Sequence, residues 1–188
     1  MKDCLTCKNV CCLHAEISLN IFDAAKLLEY FPNYKIAQLN GCSNTNLDIF
    51  VNNIKIFEIR DNAPRIRLPI RCNFLNTSNL CEIHFQKISL ESPLAKMLQE
   101  FGIPLNIKPM ICRQHPIFFE PNENCLKEYE NCELEKFAKS NRIENNKDSL
   151  DESVLICRSY YLLYEKLQQG MAIWDMILML LEGKNPFI

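Results

Sequence analysis

Glycine is scarce in this chain, with only four among 188 residues. Walker and dinucleotide-binding loops depend on glycines, because their backbone must turn tightly and approach a phosphate closely. The sequence also contains no Gly-x-Ser-x-Gly and no His-Glu-x-x-His, which mark serine-hydrolase elbows and zinc proteases. These absences argue against nucleotide binding through such loops and against both hydrolase classes.

Long apolar runs and a strong net charge are also missing. The most apolar segment, residues 171 to 181, contains Asp175 and is shorter than the roughly 20 residues of a membrane-spanning helix. The formal net charge is only −2, so no basic field favours nucleic acid. Residues 1 to 20 lack the basic and then apolar stretches of a secretory signal. We therefore expect a cytoplasmic protein with reduced thiols that binds neither nucleic acid nor a membrane.

Cysteine, in contrast, is abundant, with 11 in the chain. The segment CLTCKNVCC, residues 4 to 12, holds four of them. Cys4 and Cys7 have two residues between them, a spacing at which a tight turn lets two thiolates bind one ion. Cys11 and Cys12 are adjacent, so their side chains diverge and cannot easily complete one tetrahedron. This doublet predicts a multinuclear cluster or two centres that share the segment.

The remaining sequence predicts an α+β fold, in which helices surround a small antiparallel sheet. β-branched and aromatic residues between positions 47 and 72 predict two or three short strands. Residues 72 to 81 predict a hairpin with a cysteine on each arm. The predicted helix caps are Ser18 or Asn20 for the first helix, Ser92 for the next, and Ser149 as part of a capping box with Glu152. The predicted helices cover residues 18 to 31, 92 to 102, 122 to 140, 149 to 170 and 173 to 182.

A polar stretch at residues 141 to 147 separates two predicted parts of the chain. Residues 1 to 140 are predicted to form a cysteine-cluster metal-binding domain. Residues 141 to 188 are predicted to form a C-terminal helical extension packed on it. The apolar residues of this extension are interpreted as the core of a helical cap, or alternatively as a partner-binding face; they include Tyr160, Tyr161, Leu163, Trp174 and Ile177.

Four cysteine motifs follow one another in a definite order. CLTCKNVCC is followed by CNFL at residues 72 to 75, by CEIH at 81 to 84 and by KPMICRQHP at 108 to 116. In this order the motifs, within residues 3 to 125, resemble the YkgJ-like cysteine-cluster family, zinc- or iron-chelating domains named for a CxxCxxCC motif. The chain departs from that pattern by a third residue between Cys7 and Cys11 and by an inserted segment, residues 85 to 107. We interpret the insertion as a lid over the site.

The resemblance implies a metal centre held by thiolates. Arg71, Lys108 and Arg113 are adjacent to these cysteines or close to them in the sequence, and we expect them to offset thiolate charge at the cofactor. His84 is expected to form hydrogen bonds rather than to bind metal, and Cys157 to be a small buried hydrophobic residue. The expected ligands are Cys4, Cys7, Cys11, Cys12, Cys72, Cys81 and Cys112, with Cys125 as the eighth.

The cofactor is expected to be an iron–sulfur cluster, with the 4Fe–4S type favoured, or alternatively Zn²⁺, because soft thiolates suit both. A cluster predicts redox or group-transfer chemistry, such as modification of a protein substrate. Flagellin lysine methylases, a related group with the same motif, are associated with methyl transfer. Zinc predicts instead a structural or metal-handling module without catalysis, which binds a protein partner through its helical surface.

Overall fold

The computed structural model describes residues 12–13, 16–38, 46–60, 65–78, 80–114, 117–120, 125–128 and 147–188. It contains the predicted α+β arrangement, with a five-stranded antiparallel sheet and several helices. The strands are β1 (Ile17–Leu19), β2 (Tyr34–Gln38), β3 (Leu47–Val51), β4 (Ile54–Arg60), β5 (Arg65–Leu68), β6 (Ile117–Glu120) and β7 (Cys125–Glu128). The helices are α1 (Ile21–Tyr30), α2 (Pro93–Glu100), α3 (Met110–Gln114), α4 (Lys147–Gln168) and α5 (Ile173–Leu181).

The main sheet has the strand order β1-β5-β4-β3-β2, and every neighbouring pair is antiparallel. Strands β3 and β4 form a hairpin through Asn52 and Asn53, whose φ angles are 50° and 66°. Such left-handed angles suit a two-residue hairpin turn, and asparagine adopts them more readily than most residues. The predicted strands between residues 47 and 72 are therefore confirmed as β3, β4 and β5. Strands β1 and β2, on the two edges of this sheet, were not predicted.

The sheet and the helices share one apolar core. Helix α1 packs against α5 and α2, and α2 also packs against α5. Fully buried residues from both layers contact one another, so the helical layer covers the sheet. They include Leu27, Leu28, Ile49, Phe57, Ile59, Leu94, Leu98, Met176 and Ile177.

Local caps explain where α1 and α2 begin. Of the two candidate caps of α1, Asn20 rather than Ser18 is the N-cap: its side chain accepts a hydrogen bond of 2.8 Å from the Asp23 N–H, and the helix begins at Ile21. The preceding residues instead pair with β5. The Ser92 hydroxyl accepts a hydrogen bond of 3.0 Å from the Ala95 N–H, and Pro93 occupies the first helical turn of α2, as predicted.

Two predicted helices need correction. Helix α4 begins at Lys147, so Ser149 lies inside it and the predicted capping box does not open it. Residues 125 to 128, predicted as helix, form β7, in which Cys125 pairs with Glu120 of β6. Pairing between strands overrides the helical composition there. The rest of that predicted helix, residues 129 to 140, lies outside the described residues.

The inserted segment, residues 85 to 107, contributes to the core, and its expected role as a lid stays a prediction. Its two ends are joined by backbone hydrogen bonds, from the Ile88 N–H to the Leu105 carbonyl at 3.1 Å and from the Ile107 N–H to the Gln86 carbonyl at 3.0 Å. Between these ends, α2 buries its apolar face against α1 and α5. The segment therefore leaves the cysteine region and returns to it at nearly the same place.

The C-terminal helices include both buried and exposed apolar residues. In the predicted extension, Leu163 and Ile177 are buried, whereas Tyr161 is 73% exposed. The predicted division near residue 140 lies outside the described residues and stays a prediction. Among the described residues, no helix is long and apolar enough to cross a membrane.

Gly183 offers a test of the contact between α5 and α2. Its φ is +72°, and a Cβ there would lie 2.8 Å from the Cβ of Pro93. Gly170 has a similar φ of +86° but open space around the same position. We expect Gly170→Ala to lower the free energy of unfolding by about 1–2 kcal/mol through backbone strain. Gly183→Ala should cost about 1–3 kcal/mol more because of the clash. Equal losses in urea denaturation would contradict this packing.

Candidate metal centre

Cys12 and Cys72 are joined through their backbones. After β5 ends, Arg71 adopts a left-handed φ of 61° and turns the chain. The Cys72 N–H then donates a hydrogen bond of 2.7 Å to the Cys12 carbonyl. Cys72 is buried and Cys12 is partly buried. The last cysteine of the N-terminal motif therefore lies beside the first cysteine of the hairpin.

The predicted hairpin between Cys72 and Cys81 is present in the described residues, which omit Asn79. Leu75 and Cys81 form an antiparallel bridge, and the Glu82 N–H donates to the Phe74 carbonyl at 2.8 Å. The Asn76 carboxamide oxygen accepts hydrogen bonds of 2.9 Å from the Ser78 and Leu80 N–H groups and so closes the turn.

The hairpin also brings its two thiols close enough for their charges to interact. Burial raises the pKa of Cys72, and the neighbouring Cys81 thiolate raises it further. Phe74, between the two cysteines in the sequence, is buried and stacks on Phe31, with 5.9 Å between the ring centroids. The hairpin is thereby fixed to the end of α1.

Cys112, on α3, comes from a third segment of the chain whose thiol interacts with Cys12 and Cys72. Burial raises the pKa of Cys112 well above its usual value, and charge on Cys72 and Cys12 raises that pKa further. The four thiols Cys12, Cys72, Cys81 and Cys112 thus come from three segments that the fold brings together. We call this set the thiol cluster.

Of the three predicted cofactor-binding cations, Lys108 is the buried one, with 4% of its surface exposed. It acts on the thiol cluster, because its charge partly offsets the rise in the pKa values of both Cys72 and Cys112. Arg113 is partly buried, and its Nε donates a hydrogen bond of 3.0 Å to the Lys108 carbonyl. The side chain of Arg71 is exposed. These three residues therefore differ in solvent exposure, although the sequence motifs predict the same role for all of them.

His84 forms a hydrogen bond with Lys108. The Lys108 ammonium lies 2.9 Å from His84 Nδ1. Because an ammonium can only donate, Nδ1 is the acceptor. Burial lowers the pKa of His84, and the Lys108 charge lowers it further, which favours the neutral imidazole. This leaves Nδ1 engaged with Lys108 rather than with a metal.

Asp23 is a structural residue of the site that the sequence analysis missed. Its carboxylate accepts a hydrogen bond of 2.9 Å from the Met110 N–H, at the first residue of α3. It also forms an ion pair of 2.8 Å with Lys26 and accepts a hydrogen bond of 2.8 Å from the Asn20 amide. The Lys26 ammonium lies 3.4 Å from the Pro104 carbonyl. Asn20 and Asp23 are recognisable in the sequence as a helix start, but Met110 is 87 residues further on.

The structure does not describe the side chains of the other predicted ligands. Cys4, Cys7 and Cys11 lie outside the described residues, as does the side chain of Cys125, whose backbone begins β7. Within the described residues, no group of three or more His, Cys, Asp and Glu side chains forms an arrangement that could hold a metal ion. The thiol cluster is therefore a set of neighbouring donors rather than a finished coordination shell.

The chain was compared with protein-family models, curated proteins and solved structures. None of them matches. The likeness to the YkgJ-like family therefore rests on the four cysteine motifs, and a function has to be inferred from the residues of the site.

The Asp23–Lys26 pair leads to a stability prediction. The side chains are 2% and 0% exposed, so either substitution leaves a buried charge without its partner. We expect Asp23→Asn or Lys26→Met to lower the free energy of unfolding by about 3–5 kcal/mol. The double variant should lose less than the sum, because the two charges act on each other.

A control is available at the exposed pair Glu182–Lys184, whose side chains are 60% and 65% exposed. Glu182→Gln should change stability by about 1 kcal/mol or less. Urea denaturation followed by circular dichroism measures all four variants. Strict additivity of the two single losses would show that Asp23 and Lys26 do not interact.

Proposed function

We propose that this chain is a metal-binding protein whose cysteines hold an iron–sulfur cluster or, alternatively, zinc. The observation that carries the proposal is the convergence of the thiol cluster. Cys12 is hydrogen-bonded to Cys72, the hairpin joins Cys72 to Cys81, and the charges of Cys72 and Cys12 act on Cys112. Soft thiolates suit both zinc and iron–sulfur clusters.

The residues present fit such a centre in their chemistry. Burial raises the pKa values of Cys72 and Cys112, and repulsion from neighbouring ionised thiols raises them further. A bound cation would stabilise the thiolates and displace their protons, which couples metal binding to folding. In this proposal Cys4, Cys7 and Cys11 complete the ligand set, and Cys125 is a further candidate.

The favoured form of the proposal is a 4Fe–4S cluster, which four thiolates can hold. Bound there, a cluster would supply redox or group-transfer chemistry such as protein modification. The chain's own residues would position it: the hairpin holds Cys72 and Cys81, α3 holds Cys112, and Lys108 supplies positive charge beside them.

A zinc-stabilised interaction module is the second candidate, and one observation favours it. Helix α4 carries four exposed aromatic and apolar residues within five positions, and such a concentration of exposed apolar surface is typical of an interaction site. They are Tyr160, Tyr161, Leu162 and Tyr164. In this alternative, zinc stabilises the fold and these four residues bind a protein.

Metal analysis after anaerobic purification distinguishes the two candidates. Iron and sulfide in equal amounts, with a visible absorption band, would support the cluster and redox chemistry. Colourless protein with stoichiometric zinc would support the interaction module. Protein that contains neither metal and takes up neither from solution would overturn the proposal.

Single cysteine variants test which thiols bind. We expect Cys72→Ser and Cys112→Ser to weaken metal binding at least about tenfold, since even residues outside the ligand set change affinity by that much. Cys157→Ser is the matched control, because Cys157 lies on α4 and is absent from the predicted ligand set. Metal content per chain and the melting temperature are measured for all three. Equal metal content in the three variants would contradict the assigned ligands.

A further inference from the structure

Cys12 and Cys72 lie within the distance that a disulfide bond can span. The Cys72 N–H donates a hydrogen bond of 2.7 Å to the Cys12 carbonyl oxygen. Besides this hydrogen bond, the path from one Cα atom to the other contains only a Cα–C, a C=O and an N–Cα bond. With standard bond lengths and the bend at the carbonyl carbon, the two Cα atoms are at most about 6.6 Å apart. Cysteines joined by a disulfide usually have Cα atoms about 4.4–6.8 Å apart.

The two side chains also point toward the same part of the molecule. Cys72 belongs to the apolar core, and Cys12 packs against that core. Charge on either thiol raises the pKa of Cys112, which agrees with two sulfurs on the side of α3. Both cysteines are free in this structure, so the two thiols are neighbours that have not been joined.

Cys81 is the alternative partner of Cys72, because it lies on the other arm of the hairpin. It forms its antiparallel bridge with Leu75 and not with Cys72. The direct backbone hydrogen bond of Cys72 is to Cys12. The described backbone therefore favours Cys12 as the partner of Cys72.

The two thiols differ in their access to solvent. Cys72 is 8% exposed, whereas Cys12 is only partly buried. Thiol reactions with a dissolved reagent depend on access to the sulfur. A reagent therefore meets Cys12 first, with Cys72 in position to complete the reaction.

We propose that Cys12 and Cys72 form a redox site, which a low-molecular-weight disulfide such as glutathione disulfide oxidises to a disulfide bond. The Cys12 thiolate attacks one sulfur of the oxidant and releases the other as a thiolate. The Cys72 thiolate then attacks the Cys12 sulfur of this mixed disulfide and releases the second thiolate. The protein loses two electrons and two protons, which the two released thiols carry away.

Oxidation of this redox site opposes metal binding. Cys12 and Cys72 are proposed ligands, and only a thiolate binds metal well. This consequence rests on the proposed function, whereas the disulfide itself does not. Oxidation should weaken Zn²⁺ binding at least about tenfold, and Zn²⁺ bound beforehand should slow the formation of the disulfide.

Tryptic peptides identify the bond in the full-length, metal-free chain. The peptides of residues 9 to 26 and 72 to 87 each contain two cysteines. In the double variant Cys11→Ser/Cys81→Ser, each peptide keeps only its cysteine of the redox site. After treatment with glutathione disulfide and alkylation of the remaining thiols, mass spectrometry without reduction should find the two peptides linked, with the loss of two hydrogen atoms.

The matched control is the reverse double variant, Cys12→Ser/Cys72→Ser, which carries the same number of substitutions in the same two peptides. It should give no link between them. Circular dichroism checks that both variants fold. No link in folded Cys11→Ser/Cys81→Ser, or as much link in the control, would overturn the proposal.

If either double variant does not fold, four single variants carry the test. Cys11→Ser and Cys81→Ser should retain the link between the peptides. Cys12→Ser and Cys72→Ser should lose it. Loss of the link in Cys11→Ser, or a bond between Cys72 and Cys81 in its place, would also overturn the proposal.

A measurement with Zn²⁺ separates the redox site from the proposed function. The unsubstituted chain is oxidised with and without prior loading of Zn²⁺. If a chain that binds Zn²⁺ forms the link equally fast in both cases, the redox site stands and its coupling to metal is wrong. If the chain binds neither zinc nor an iron–sulfur cluster, the proposed function fails, while the linked peptides still decide whether the redox site exists.

Discussion

The buried carboxylate of Asp23 connects the helical layer to the segment that carries Cys112. It is paired with Lys26 at 2.8 Å and accepts a hydrogen bond from the Met110 N–H at 2.9 Å. Burying either charge without a partner would be strongly unfavourable, because the protein interior solvates ions poorly. The groups that satisfy the pair come from α1, from the end of the insertion and from the start of α3. Their charges are therefore fully paired only when these three parts of the chain are in their native positions.

The thiol cluster follows from that constraint together with two others. Asp23 fixes α3 and hence Cys112, while the hairpin closed by Asn76 fixes Cys72 relative to Cys81. The closed base of the insertion returns the chain so that the second and third cysteine-bearing segments meet. In the first two constraints a side chain, Asp23 or Asn76, accepts hydrogen bonds from backbone N–H groups, and in the third both partners are backbone groups.

Burial and neighbouring thiols disfavour ionisation of the cysteines in this region. Burial and mutual repulsion raise the pKa values of Cys72 and Cys112, and Lys108 offsets only part of the rise. A protonated thiol avoids the cost, but a cation removes it more effectively because it attracts several thiolates together. Burial and the Lys108 charge lower the pKa of His84, because a charged imidazole there would place a second cation 2.9 Å from the Lys108 ammonium.

The sequence by itself determined the α+β class, the strands β3 to β5 and helix α2, because apolar patterning, Ser92 and Pro93 act locally. It also identified cysteine spacings suited to chelation. Tertiary structure decided that the edge strands β1 and β2 form, that residues 125 to 128 pair as β7, and that α4 begins before Ser149. It also decided that Lys108 rather than Arg71 is buried beside the thiols, and that Asp23 contacts Met110. These outcomes depend on contacts between residues far apart in the chain, whose burial and pairing no local pattern encodes.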